Sequence, residues 1–151
     1  MKMKDRVRAH TAREVNQEID QETERRILRA AGLGEAAISR QIDELEEEWD
    51  MERWLEANAA ALAFTGTVLG LLVNRKLLAI PCLVLPFLFL HAVQGWCPPV
   101  PFLRRGGVRT RKEIDTEKYS LKALRGDFDD VGDGNGDSLK RARLAWQAAN
   151  A

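Results

Sequence analysis

From Ala57 to Val73 the chain reads ANAAALAFTGTVLGLLV, 17 residues without a charge, and after NRK the run LLAIPCLVLPFLFLHAVQGW extends from Leu77 to Trp96. A membrane-spanning helix needs about 20 mostly apolar residues, because a hydrocarbon core about 30 Å thick is crossed at 1.5 Å per residue. The second run meets that length. The first is short and rich in alanine, so its insertion relies on its partner. As the core of a soluble bundle, both runs would need partner helices with broad apolar faces, and the flanking segments offer only narrow ones. The pattern therefore predicts a transmembrane helical hairpin over residues 57–103, with spans at about 57–73 and 77–96.

The flanks are patterned as amphipathic helices. EAAISRQIDELEEEWDMERWLEAN reads as one long helix running into the first span, with Ile38, Ile42, Leu45 and Trp49 recurring at spacings of 4, 3 and 4. GLG at 32–34 separates it from an earlier helix over about 12–31, whose weaker face carries Val15, Ile19 and Ile27. Two such helices can fold on each other or pair with another chain. Beyond the hairpin, a short helix over about 111–125 presents Ile114, Leu121 and Leu124. DFDDVGDGNGD then reads as a flexible acidic linker before a tail helix capped by Asp137 or Ser138, with Leu139, Leu144 and Trp146 available to a partner. The expected fold is all-α: a two-helix transmembrane hairpin, amphipathic N-terminal helices and short C-terminal helices on the cytoplasmic side. Its divisions are 1–56, 57–103, 104–126 with a basic start, and 127–151.

Net charge sharpens this partition. The 151 residues carry 23 Lys+Arg and 23 Asp+Glu, which balance overall, yet residues 1–56 hold a net −5, residues 57–103 only Arg75 and Lys76, and residues 104–151 a net +3. Arg53, Arg104, Arg105, Arg109, Arg111 and Lys112 flank the hairpin, against Arg75 and Lys76 in its turn. Basic residues stay on the cytoplasmic side, so both termini are expected in the cytoplasm. The N-terminal stretch MKMKDRVRAHTAREVNQEIDQETERR has no apolar core and no small-residue cleavage site, and does not read as a secretory signal. The basic exit suits anionic lipid headgroups better than nucleic acid, because it sits where the chain leaves the membrane.

Within the first span Ala59, Ala63, Gly66 and Gly70 fall on one face, and GTVLG is a GxxxG. Small residues let helix backbones approach closely in lipid, so this stripe packs either on the second span or on a second copy of the chain. Pro81 and Pro86 should each kink the second span. Cys82 beside Pro81 reads as a small apolar filler, and His91, with no second ligand at helical spacing, as a satisfied or interfacial histidine rather than a metal ligand.

Chemistry is sparse. Two cysteines give neither a disulfide framework nor zinc spacing. ELEEE is a solvated face, and RGD at 125–127 carries no weight. A calcium loop starting at Asp129 puts Val131 at the third position and Lys140 at the twelfth, and one starting at Asp133 puts Leu144 at the twelfth. Both registers fail. No metal or cofactor is therefore expected. In QGWCPPVPFLRR, Trp96 reads as an interfacial anchor, Pro98, Pro99 and Pro101 as the helix stop, and Arg104 and Arg105 as the cytoplasmic hold. Cys97 is the residue that this account leaves over, and a thiolate helped by the nearby arginines is its functional reading.

Gly95, Trp96, Cys97 and Pro98 at the close of the second helix, followed by a basic exit, carry a resemblance. The stretch over roughly 50–105 resembles the YgaP-like hairpin, the small bacterial inner-membrane proteins that share the transmembrane domain of membrane-anchored rhodaneses. The resemblance implies a bacterial inner (cytoplasmic) membrane location, dimerisation and no assigned activity. It carries no sulfur transfer, since neither flank has a rhodanese pattern or a catalytic cysteine loop.

Two functions follow as expectations. The first is a non-catalytic anchor, scaffold or accessory subunit of a larger membrane assembly, with the lipid bilayer and other membrane subunits, or itself through Gly66 and Gly70, as partners. The second is thiol-based sulfur carriage or redox sensing at Cys97, for which no base is placed. A channel would need a polar stripe through the spans, which is missing.

Overall fold

The structure, a computed structural model, describes residues 5–132 and 138–150, and among these every regular element is helical. In chain order these are α1 (Arg6–Ala9), α2 (Arg13–Ala30), α3 (Glu35–Glu47), α4 (Met51–Leu72), a 3-10 turn (Arg75–Leu78), α5 (Ala79–Gln94), α6 (Val100–Arg105), α7 (Arg111–Arg125), a second 3-10 turn (Asp129–Val131) and α8 (Ser138–Asn150). They group into two compact units, one of residues 5–19 with 49–111, the other of residues 20–48 with 112–132 and 138–150. Each unit joins segments from before and after the apolar runs, so the units cut across the linear divisions read from composition. The linker residues 133–137, with the Asp137 cap, lie outside the described residues.

The first unit is dominated by α4 and α5. The long helix expected over 35–58 is broken: α3 stops at Glu47, Glu48 turns extended, and Asp50 opens α4 by accepting from the Arg53 amide at 2.8 Å. The carboxylate meets a helix donor that would otherwise lack a partner, which makes the break stable. The Met51 amide, another first-turn donor, goes instead to the Arg109 carbonyl at 2.9 Å. Trp49 stacks edge-on with Trp54, their centroids 5.4 Å apart, and leaves the apolar stripe to Ile38, Ile42 and Leu45.

Two segments, ending at Leu72 and at Gln94, are long and apolar enough to cross a membrane. Their most apolar stretches are only 17% and 11% buried. Where α5 meets α4, Gly66 lies against Ile80 and Pro81, and Gly70 against Leu78. The two glycines thus seat the 3-10 turn and the start of α5, and a homodimer through them would have to displace both. Pro81 falls in the first turn of α5, where a missing amide costs nothing; only Pro86 lies inside the helix. The two expected kinks reduce to one interior proline.

Gly95 ends α5 in the left-handed conformation, φ 78°, its amide donating to the His91 carbonyl at 2.7 Å. The prolines that follow do the opposite of stopping a helix. Pro99 and Pro101 start α6, where a fixed φ is pre-set for the first turn. Val7 of α1 packs with Met51, Leu55, Cys97 and Val100 into the core of this unit.

In the second unit Ala30, Ile38, Ile42, Leu45, Ile114 and Leu121 make the core. The predicted stripe of α3 is therefore buried, while Leu124 of α7 is 45% exposed. The carboxylate of Asp127 receives both the Nε and an Nη of Arg125 at 2.7 and 2.6 Å, and Arg125 also donates to Ser39 Oγ at 2.9 Å. Lys122 is 1% exposed and donates to the Ala149 carbonyl on α8 at 3.0 Å. Leu139 and Trp146 face outward on that helix.

Candidate functional site

Unit one holds an apolar chamber of about 540 Å³. The first two turns of α4 and the turn beyond supply Trp54, Leu55, Asn58, Ala59 and Leu62. Leu83, Val84, Phe87 and Leu88 come from α5, and Cys97, Pro98, Pro99 and Leu103 from the stretch after it. The helical spacing of 55, 59 and 62 and of 83, 84, 87 and 88 turns these side chains to one face of each helix. The third wall exists because Gly95 reverses the chain and Pro99 starts α6 immediately afterwards. Polar side-chain groups are few: the Asn58 amide, which donates Nδ2 to the Trp54 carbonyl at 2.7 Å, the Trp54 indole N–H and the Cys97 thiol.

The N-terminal segment closes the side of Cys97 away from the chamber. Arg6 donates to the carbonyls of Ala92 and Val93 at the end of α5. Asp5 Oδ2 accepts from Thr110 Oγ1 at 2.7 Å, and Asn16 Oδ1 accepts from an Arg104 Nη at 2.8 Å. Cys97 is 7% exposed among Val7, Met51, Leu55 and Val100. Burial pushes its thiol up from the ordinary range, which disfavours the thiolate that a reactive cysteine needs. His91 is buried and its Nδ1 has no hydrogen-bond partner. Among the described residues no group of three or more His, Cys, Asp or Glu is placed to hold a metal ion.

The residues singled out from sequence separate here. Gly66 is buried beneath α5 and Gly70 beneath the 3-10 turn before it, Ala59 lines the chamber, and Ala63 is half-buried. Trp96 is half-buried with its ring edge-on to Phe87, centroids 6.5 Å apart, while Pro98, Pro99 and Arg105 are exposed. Arg104 departs from its expected role. It is 1% exposed, with Nη1 on the Val108 carbonyl at 3.1 Å and Nη2 on Asn16, so its charge is held by protein rather than by headgroups. Arg109, counted in the same basic flank, is 4% exposed. Asp5, Arg6, Val7 and Asn16 were missed because the polar stretch from Asp5 to Asn16, in which Val7 is the buried valine, has no periodicity to read. Gly95 carried a legible signal, a glycine just after a long apolar run, as helix stops commonly show.

The second unit has a cavity of about 430 Å³ lined by Arg26, Arg40, Gln41, Glu44, Glu48 and Glu117, among others. The buried Glu117 accepts there from Gln41 Nε2 at 3.3 Å. The cavity lining carries two cations and three carboxylates, and no hydroxyl, thiol or imidazole.

Compared with known protein families, with curated proteins and with solved structures, the chain matches none of them.

Proposed function

We propose that the chain is an integral membrane protein in which α4 and α5 form a transmembrane hairpin, and that it serves as a non-catalytic anchor, scaffold or accessory subunit of a membrane assembly. One observation carries the reading. Phe64 within α4 and Leu71, Leu72 and Val73 at its end are 72–79% exposed, and Leu83 and Phe89 of α5 are 63% and 70% exposed. Leaving one such side chain in water forgoes about 1.5–3 kcal/mol, and soluble monomers rarely tolerate contiguous apolar patches beyond a few hundred Å². Surrounded by hydrocarbon, the same faces cost nothing.

The location proposed is a bacterial inner membrane with both flanking segments in the cytoplasm. The six-to-two excess of Lys and Arg on the flanks supports it, and so does the resemblance to the YgaP-like hairpin. The basic-residue rule acts while the chain is being inserted, so the later burial of Arg104 and Arg109 leaves it intact. A catalytic role for Cys97 is opposed by its burial and by the absence of a base in the chamber lining.

The test has three arms. Alkaline carbonate washing of native membranes should leave the chain in the pellet, and a C-terminal reporter should be active only in the cytoplasm. Gentle detergent extraction should bring a partner subunit or a second copy with it, unchanged in Cys97→Ser. Release by carbonate sinks the membrane reading, a periplasmic reporter sinks the orientation, and a free monomer sinks the scaffold role.

A further inference from the structure

We propose that the chamber beside Cys97 is a lipid site that holds one acyl chain of a bilayer phospholipid from the leaflet on the side of α6. The inference rests on the membrane reading above and adds an occupant to it.

Dimensions come first. From Trp54 to Leu62 the α4 wall rises eight residues, about 12 Å, close to the roughly 15 Å that one leaflet contributes to a 30 Å hydrocarbon core. Trp54, Pro98 and Pro99 stand at one end, where a tryptophan ring settles at headgroup level. Leu62 and Leu83 stand at the other, and both are more than half exposed, so the deep end opens onto the lipid-facing surface of α4 and α5. The site is thus one leaflet deep and continuous with bulk hydrocarbon.

Chemistry selects the same occupant. Buried water needs two to four polar partners, and this lining offers a weakly donating thiol, the Trp54 indole N–H at the headgroup end, and an Asn58 amide whose Nδ2 is already bonded to a backbone carbonyl. A polar ligand would lose its hydrogen bonds on entering. A volume of about 540 Å³ lies in the range of sites that enclose a small apolar molecule. The chain so held touches α4, α5 and Leu103 of α6 together, and fixes the exit helix against the pair.

The experiment uses the full chain reconstituted in phosphatidylethanolamine–phosphatidylglycerol bilayers doped with a phospholipid bearing a photoactivated diazirine within its acyl chain. After irradiation, adducts are mapped by peptide mass spectrometry. Labelling is expected on Ala59, Val84 and Phe87 in the chamber as well as on Phe64 and Phe89 outside it. In Ala59→Leu and, separately, Val84→Phe, chamber labelling should fall about tenfold relative to Phe64 and Phe89, the weight of a clash of about 1.4 kcal/mol. Adducts confined to the outward residues of the wild-type chain overturn the proposal, as does an unchanged ratio in both variants. Loss of the chain to the carbonate wash is a separate result and sinks the membrane reading itself.

Discussion

The guanidinium of Arg6 donates to the carbonyl oxygen of Ala92 at 2.6 Å and to that of Val93 at 3.2 Å, joining positions 86 and 87 residues apart. The last carbonyls of a helix lack intrahelical partners, and a cation there meets both the orphan acceptors and the negative end of the helix dipole. Beside it, Gly95 turns left-handed, and the place of its missing Cβ is taken by Arg6 and the Val7 amide. Gly107 is also left-handed, φ 84°, with nothing within 4 Å of that position. Replacing either by alanine incurs the strain of positive φ, about 1 kcal/mol, but only Gly95→Ala adds a collision. Urea unfolding of the detergent-purified chain should show Gly95→Ala losing clearly more than Gly107→Ala, with Arg6→Ala between wild type and Gly95→Ala. Equal losses at the two glycines would mean that the N-terminal segment does not pack there.

Gly66 and Gly70 make a second prediction. A Cβ at Gly66 would stand 2.8 Å from Ile80 Cβ and 2.9 Å from Pro81 Cδ, neither of which swings aside. At Gly70 it would meet the end of the Leu78 side chain, which can move, and the Leu78 amide nitrogen at 3.0 Å. Gly66→Ala and Gly70→Ala should each cost about 1–3 kcal/mol in unfolding measurements, as overpacking does. Oligomeric state, read by light scattering in detergent, should stay as in wild type. A change of oligomer without a loss of stability would assign the stripe to a second copy.

Arg104 and Arg105 are neighbours with opposite fates. Arg104→Met removes charged hydrogen bonds from a buried site and leaves the Asn16 and Val108 oxygens without those donors, an expected loss of about 2–4 kcal/mol. Arg105→Met, on an exposed side chain, should stay within about 0.5 kcal/mol. Similar small effects at both would restore Arg104 to a headgroup role.

Acid stability depends on Asp127. Its hydrogen bonds from Arg125 hold the carboxyl below the ordinary aspartate value of 3.8, in a pair whose side chains are only 14% and 9% exposed. The folded form thus binds its proton less readily than the unfolded chain. The contribution is complete above about the unfolded value and is lost as pH falls from there through the lower folded value. Melting temperatures measured from pH 6 downward should decline below about pH 4 more steeply in wild type than in Asp127→Asn. Parallel profiles would show that the pair contributes nothing.

Much of the helical order was legible. Stripe residues Ile38, Ile42 and Leu45, the break at 32–34 and the bounds of α7 are local signals, and the structure follows them. The break at Trp49 was hidden because DELEEEWDMERW satisfies helix propensity throughout; Asp50 could be recognised as a cap only once Met51 was seen to take its partner from Arg109. The chamber was less legible still. Its walls lie on three stretches of chain, and nothing in the spacing of Ala59, Val84 and Leu103 announces that they meet.

What the amino-acid order determined alone is the separation of apolar runs from charged flanks, because helix periodicity and segment length are local and additive along the chain. Whether Arg104 faces headgroups or a buried asparagine, whether Pro99 ends a helix or begins one, and whether Cys97 meets water or Val7 were decided by tertiary contacts. The fates of Arg104 and Cys97 depend on residues some 90 positions away in sequence, Asn16 and Val7, and on one left-handed glycine at the end of α5.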